Sequence, residues 1–463
     1  MTYFLRGRSG KPSSACQVKP IQIAHTVDFR SLLMEAETRE TQTFIEDETS
    51  DVESNILVQQ SAAEPSAAQA ESSTQKGPLS FKRSHEEGFP EAKKVSGSHR
   101  RRRTNRNEKI VAEGHTPHPK AYASILKAAT PLETELETSE LPATTCGTQA
   151  LHYTAEEGKD DLHLQELLDD GISCPILDAE ERVVGAFCGR VSDPGYLEAC
   201  QNTYKLFEAA GEHSGLKEDA VDNRRGYFPV INIGITHGKG TRHPVNLHEG
   251  KNSPSKYESL AREILHDPSL NRIADFQSSC FKIWSPNVHT YYCENLDKLY
   301  KKLPYLRRNF EKSVFPCCAV NCGPKAWTCR HRDSMNLPFG MCAITALGCF
   351  DHRKGGHLVL PDLKLIIEFP VGCVILIPSA TLIHANIPIQ AHETRASFTQ
   401  FAAGGLFRYI ANGFMTEKAL QKKDKKKYEQ VRAEKKTRWS MGLKLLSKFS
   451  ELAVSSDPES DNE

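Results

Sequence analysis

His331 and Asp333 in TCRHRDSMN, His384 in LIHAN 53 residues after the first histidine, and Arg395 in TRASFTQF 11 residues further on are residues whose types and spacing could do chemistry together. His331 and Asp333 stand at i and i+2, so on an extended segment both side chains leave the same face. His384 must then come from a strand laid alongside by the fold. Two imidazoles and one carboxylate make the facial triad of non-haem Fe(II) oxygenases, which leaves half of an octahedral shell open for a chelating co-substrate and O2. A zinc hydrolase keeps a single position open. When the chelator is 2-oxoglutarate, its far carboxylate needs a buried cation, and the planar guanidinium of Arg395 can take it through two parallel hydrogen bonds. Ser397 and Thr399 share the strand parity of Arg395, so a hydroxyl can assist from the same face.

H-x-[DE] alone says little: with 18 histidines and 59 acidic residues in 463, roughly two matches are expected by chance, and two occur. The other, His85 with Glu87, lies in a polar stretch without strand pattern. What sets His331 and Asp333 apart is the series of elements around them. From 316 to 410 the pattern is β throughout, in the short apolar segments CAITALG, HLVLP, KLIIEF, GCVILIP, TLIHAN and TRASFTQFA. Gly355 and Gly356 mark one turn, Pro370 to Gly372 another. Short strands at this spacing predict an α+β protein with a double-stranded β-helix, the cupin-like jelly roll, as its core. Such a fold holds metal ligands from neighbouring strands in its mouth.

The rest of the chain divides by composition. Residues 1–120, poor in Leu, Ile, Val and Phe, read as a mostly disordered tail. Its basic stretch at 82–106 is either a nuclear import signal or phosphate-binding arm, or a solvated charge run. Residues 121–159 read as linker, and 160–415 as the catalytic domain with its jelly roll at about 316–412. CPILDAEERVVGAFCG (174–189) reads as two strands around a turn and FPVINIGI (228–235) as a third. Helices are expected over 194–211, with Gly211 as C-cap, and over 255–267, with Ser255 as N-cap and Glu258 closing a capping box. Residues 416–455 read as one basic helix, and 456–463 as an acidic tail. The formal net charge is zero, but its segregation is informative. Fourteen irregularly spaced cysteines and a start without an apolar h-region argue for an intracellular protein with reduced thiols. No apolar run approaches membrane-spanning length.

HRDSMN, LGCFDHRKGGHLVLPD, GCVILIPSATLIHAN and RASFTQF together resemble the TET/JBP family of Fe(II)- and 2-oxoglutarate-dependent nucleic-acid dioxygenases, particularly its compact fungal, transposon-associated members. The resemblance spans about residues 160–412. It implies that His331, Asp333 and His384 bind iron, that Arg395 and Ser397 hold 2-oxoglutarate, and that Asn336 contacts the modified base. The implied cofactors are Fe(II), 2-oxoglutarate and O2. The implied reaction oxidises the methyl group of 5-methylcytosine in duplex DNA to 5-hydroxymethylcytosine, and onward to formyl- and carboxylcytosine, in the nucleus. This chain lacks the long cysteine-rich domain and large insert of animal relatives, so their zinc-supported DNA docking does not carry over. Asn336 could equally cap the turn after the metal segment.

A methyl on a base inside a duplex is beyond a recessed metal, so the nucleotide must flip out at a cost of a few kcal/mol. Cations outside the pocket would offset it. Lys239 and Arg242 in THGKGTRHP (236–244) could approach phosphates, or belong to an exposed hairpin loop. Lys422, Lys423, Lys425 and Lys426 could bind backbone phosphates with counterion release, or simply face solvent. Cys317, Cys318, Cys322 and Cys329 match no standard zinc spacing and read as core or turn residues. His352 and His357 read as structural residues of a hairpin. Duplex DNA is the expected partner, with no membrane and no obligate protein partner. Two other readings stand beside 5-methylcytosine: N6-methyladenine by the same mechanism, and a protein or small-molecule hydroxylase without salt-sensitive DNA binding.

Overall fold

The computed structural model describes residues 101, 119–151, 163–165, 173–213, 222–223, 226–238, 240–247 and 255–454. The expected tail, nearly all of the basic stretch at 82–106, Lys239 and the acidic 456–463 lie outside the described residues.

After helix α1 (Pro119–Ala128) come strands β1 (Leu132–Glu133), β2 (His163–Gln165), β3 (Cys174–Leu177) and β4 (Val183–Gly189), then helix α2 (Pro194–His213). Strands β5 (Asp222–Asn223), β6 (Gly226–Tyr227), β7 (Val230–Thr236) and β8 (Val245–Asn246) precede helices α3 (Ser255–His266), α4 (Pro268–Trp284) and α5 (Pro286–Lys302). Seven strands follow: β9 (Cys317–Asn321), β10 (Cys342–Cys349), β11 (Leu358–Leu360), β12 (Leu365–Ile367), β13 (Val374–Ile377), β14 (Ala385–Asn386) and β15 (Thr394–Phe401). Helices α6 (Gly404–Ala411), α7 (Glu417–Lys423), α8 (Lys425–Glu434), α9 (Arg438–Leu443) and α10 (Phe449–Val454) complete the described chain.

From β9 onward the strands are dealt between two sheets. The larger sheet runs β1-β3-β4-β13-β10-β15-β9-β7-β8 and the smaller β14-β11-β12-β2, which His331 extends through its antiparallel bridge to His384. In chain order β9, β10, β13 and β15 join the larger sheet, while His331, β11, β12 and β14 join the smaller one. All pairings among β9–β15 are antiparallel. This is the jelly roll, in an α+β protein with helices packed on the larger sheet.

Period-2 alternation decides which side chains enter the mouth. On β15, Ala396 and Phe398 share a core cluster with Phe207 of α2, Ile264 of α3 and Ile273 of α4. Arg395, Ser397 and Thr399 therefore take the opposite face, toward the smaller sheet. Gln277 of α4 fixes the helix layer on the sheet's back by donating to Thr345 Oγ1 at 2.7 Å and Phe398 O at 3.1 Å.

Four sequence expectations change. The stretch expected as linker, 121–159, carries most of α1 and all of β1, with Leu126 and Leu141 in the core cluster and β1 paired in parallel with β3. Helix α2 runs through Gly211 to His213, so Gly211 is an internal residue rather than a C-cap. Helices α4 and α5 fill a stretch the sequence reading left unassigned. Leu270, Ile273, Ala274, Gln277, Phe281 and Trp284 recur at helical spacing, and Asp267 caps the start by accepting from Leu270 N at 2.8 Å. The basic segment is four short helices instead of one. Asp424, extended at φ −146°, ψ 90°, ends α7 and caps α8 by accepting the Lys427 N–H. No helix among the described residues is long and apolar enough to cross a membrane.

Candidate metal and co-substrate site

His331 and His384 are brought together by backbone. His331 N donates to His384 O at 3.1 Å and His384 N to His331 O at 3.0 Å. Each imidazole is oriented from behind by a main-chain carbonyl, Cys329 O at 2.8 Å from His331 Nδ1 and Leu382 O at 3.0 Å from His384 Nδ1. A carbonyl only accepts, so both Nδ1 atoms donate, and Nε2 is the ring nitrogen each histidine has left for a metal. Asp333 completes the set. His331 Nε2 lies 3.9 Å from its Oδ1, and His384 Nε2 lies 3.9 Å from its Oδ2. One donor atom from each residue falls within 4.8 Å of the others, the one such group among the described residues. The carboxylate is held by its backbone N–H, which donates to Ser379 O at 2.9 Å.

Residues outside the expected set hold this frame. Arg332, pointing away between the two ligands, lies 3.9 Å from Asp362, and Asp362 accepts the Ile383 N–H at 2.6 Å. That link couples the His331–Asp333 segment to the residue preceding His384. Its signal in the sequence, two charges among apolar strands, has no distinctive spacing.

Arg395 is 1% exposed and sits opposite Gly348 on β10. Its Nη1 donates to Ala326 O at 2.7 Å, while Nε is buried without a hydrogen-bond partner. Burial without a counter-charge pushes the guanidinium down to about 10. The neighbouring chain is tied closely. Arg395 N donates to Pro324 O, and Lys325 Nζ donates to the carbonyls of Gln390, Ala391 and Glu393. Gly348 is at φ 117°, and a Cβ there would lie 2.3 Å from Thr394 O. Ser397 accepts from Asn321 Nδ2 at 2.9 Å. Sequence reasoning missed Asn321 because it ends an apolar strand, CCAVN; pairing β9 with β15 would have put it beside Ser397.

Asn336 is buried, and its N–H closes a turn on Asp333 O at 2.8 Å. Its side chain does not cap that turn. Nδ2 donates to Cys342 Sγ at 3.4 Å and Ser379 Oγ at 3.3 Å, leaving Oδ1 as the open end of the amide. Gly404 and Gly405 at the start of α6 pack so closely that a Cβ would lie 1.8 Å from Thr148 O and 2.0 Å from His237 O. Segment 144–150, the 236–244 loop and the Met335 turn thus meet on one side of the site.

The remaining expected cations in the described residues are exposed. Arg242 is exposed in the 236–244 loop, and Lys422, Lys423, Lys425 and Lys426 are exposed on α7 and α8. Cys317 and Cys318 face opposite sides of β9: Cys317 Sγ donates to Ile235 O, and Cys318 Sγ accepts from Asn309 Nδ2. Burial pushes the Cys317 thiol up to about 12. His357 is 1% exposed, a core residue.

The donors fit Fe(II): two imidazoles and a carboxylate, with one ligand atom of each within 4.8 Å of the others. The buried cation of Arg395, with Nε unpartnered, fits the far carboxylate of 2-oxoglutarate, which with O2 would complete the metal's shell. No family model matches the chain, and no curated protein does. Among solved structures it is similar to NgTET1 in complex with 5mC DNA, at 14% identity over 62% of this chain and 92% of that one, TM-score 0.37. It is also similar to an oxidoreductase of the 2OG-Fe(II) oxygenase family from Burkholderia pseudomallei, at 16% identity over 46% of this chain and 93% of that one, TM-score 0.25. A third is AviO1 from Streptomyces viridochromogenes Tue57, at 16% identity over 48% of this chain and 90% of that one, TM-score 0.23.

Proposed function

We propose that the protein is an Fe(II)- and 2-oxoglutarate-dependent dioxygenase that oxidises the methyl group of 5-methylcytosine in duplex DNA, to the hydroxymethyl and onward to the formyl and carboxyl level. The observation that carries the oxygenase part is Arg395: a buried guanidinium with an unsatisfied Nε, in a jelly roll whose mouth holds two histidines and an aspartate. A buried cation without a counter-ion is costly, and an anionic co-substrate removes that cost.

Bound iron would use 2-oxoglutarate and O2 to supply the oxidant, with succinate and CO2 released. The chain's own groups do the rest. His331 and His384 present Nε2, and Asp333 turns an oxygen toward each. Arg395 and Ser397 would hold the far carboxylate of 2-oxoglutarate and so orient its chelating end toward the three ligands. Asn336, with Nδ2 engaged, offers Oδ1 as an acceptor, which suits a base bearing an exocyclic amino group. Cytosine has one and thymine does not.

A DNA substrate is supported by the HRDSMN and RASFTQF motifs and by the exposed cations Arg242, Lys422, Lys423, Lys425 and Lys426, with Lys239 three residues before Arg242 in sequence. The basic stretch at 82–106 goes with a nuclear site of action. N6-methyladenine is the second reading, since its exocyclic N–H suits the same Oδ1. The test is to incubate the protein with Fe(II), 2-oxoglutarate and duplexes carrying either base, and to quantify nucleosides by mass spectrometry. Loss of 5-methylcytosine matched by the sum of hydroxymethyl-, formyl- and carboxylcytosine is expected. Unchanged nucleosides in both duplexes, with iron bound, would leave only the protein or small-molecule hydroxylase.

A further inference from the structure

Asn321 on β9 lies directly opposite Ser397 on β15, so the two side chains share the inward face of the larger sheet. Each is 6% exposed. Asn321 Nδ2 donates to Ser397 Oγ at 2.9 Å, the one hydrogen bond this side chain makes among the described residues, and its Oδ1 is buried without a donor. A hydroxyl that accepts through a lone pair keeps its own proton to give elsewhere. No acceptor among the described residues takes the Ser397 proton. Two residues earlier on the same face, Arg395 Nε also lacks an acceptor. A cationic donor and a hydroxyl donor are thus presented side by side, and a carboxylate accepts from both.

We propose that Asn321 is a positioning residue: by donating to Ser397 Oγ it turns the hydroxyl proton toward the far carboxylate of 2-oxoglutarate held by Arg395. The proposal rests on the co-substrate reading above. An amide is needed because its N–H can only donate. A carboxylate at 321 would capture the serine proton, turn the Ser397 lone pairs toward the anionic ligand and add a negative charge behind it. Alanine would leave the hydroxyl present but undirected. The β9–β15 ladder is made by main-chain groups, so these replacements leave the pairing intact.

The test is a calorimetric titration of the full chain, loaded with redox-quiet Mn(II), with 2-oxoglutarate and with 2-oxopentanoate. The second ligand has the same chain length and the same chelating end but no far carboxylate. Charge-assisted hydrogen bonds set the scale, so Ser397→Ala should weaken 2-oxoglutarate roughly tenfold, Asn321→Ala roughly threefold, and Asn321→Asp by more than about thirtyfold. Placed in the Ser397→Ala background, Asn321→Ala should cost less than about twofold more, because its effect runs through the missing hydroxyl. Affinity for 2-oxopentanoate should change by less than about twofold in every variant.

Three results would overturn the proposal: equal losses from Asn321→Ala with and without Ser397, equal losses for the two ligands, or an Asn321→Asp protein that binds 2-oxoglutarate as the unaltered chain does. If Asn321→Asp does not fold, the alanine arms decide alone. An unaltered chain that holds Mn(II) but takes up no 2-oxoglutarate brings down the co-substrate reading itself, and this inference with it.

Discussion

His331 and His384 donate their backbone N–H groups to each other's carbonyls and hold their rings 4.2 Å apart, so two metal ligands 53 positions apart in sequence are set by main chain alone. With Nδ1 of each ring bound to a carbonyl, both are in the tautomer a metal requires. Metal capture then asks only for Asp333, the most exposed of the three, to settle.

Asp333→Ala should therefore remove tight Fe(II) or Mn(II) binding while leaving the two histidines in place. Metal content after gel filtration should fall to background and turnover should vanish, whereas affinity for duplex DNA should stay within about twofold. A large loss of DNA affinity would mean that the segment docks the duplex. In the unaltered chain, metal at a hundred times its Kd should add about 2.7 kcal/mol of stability, read as a rise in Tm.

Arg395→Lys keeps the charge and loses the fork. Affinity for 2-oxoglutarate should drop by roughly 30-fold, about 2 kcal/mol, in a titration monitored by calorimetry. Retention of full affinity would show that the carboxylate is bound elsewhere.

Asn336→Leu tests base reading. The unaltered chain should prefer 5-methylcytosine to thymine, and the variant should lose roughly 10- to 100-fold of that preference, the value of one good base contact. A variant that slows on both bases by the same factor would assign Asn336 to packing with Cys342 and Ser379 only.

Much of this centre was open to reading before any fold was known, because coordination chemistry admits few donor sets and period-2 alternation places Arg395, Ser397 and Thr399 together. Asn321 was hidden by its apolar strand, and the Arg332–Asp362 link by an i,j separation that only the fold closes. Helices α4 and α5 do carry apolar residues at helical spacing, so their absence from the expected elements has no physical cause in the sequence. The C-terminal segment misled because lysines and glutamates favour helix everywhere, while the break comes from one residue, Asp424, whose side chain prefers to cap.

His357 gives a pH dependence. Burial holds its imidazole down to about 4, against an ordinary 6.5. The unfolded chain therefore binds a proton between these values that the folded one refuses, so stability is lost as pH falls from 6.5 toward 4 and is flat above. The full effect is about 3 kcal/mol, to be read from urea midpoints, and His357→Gln should flatten that limb. An unchanged slope in the variant would move the effect to other groups.

Lys422, Lys423, Lys425 and Lys426 are exposed on α7 and α8. Changing all four to alanine should weaken duplex binding without regard to sequence and reduce the slope of log K against log salt by up to about 3 to 4. An unchanged slope would return these lysines to solvent.

Strand β15 is central to the larger sheet, between β10 and β9, yet it is the last jelly-roll strand in the chain. During synthesis the sheet must wait, with β9 and β10 made but unjoined, until residue 401 emerges. Arg395, the proposed anchor, arrives with the strand that closes the sheet. A nascent chain can thus present the histidines and aspartate before it presents the proposed anchor, and the non-local closure that makes such sheets slow to fold would also delay co-substrate binding until the sheet is closed.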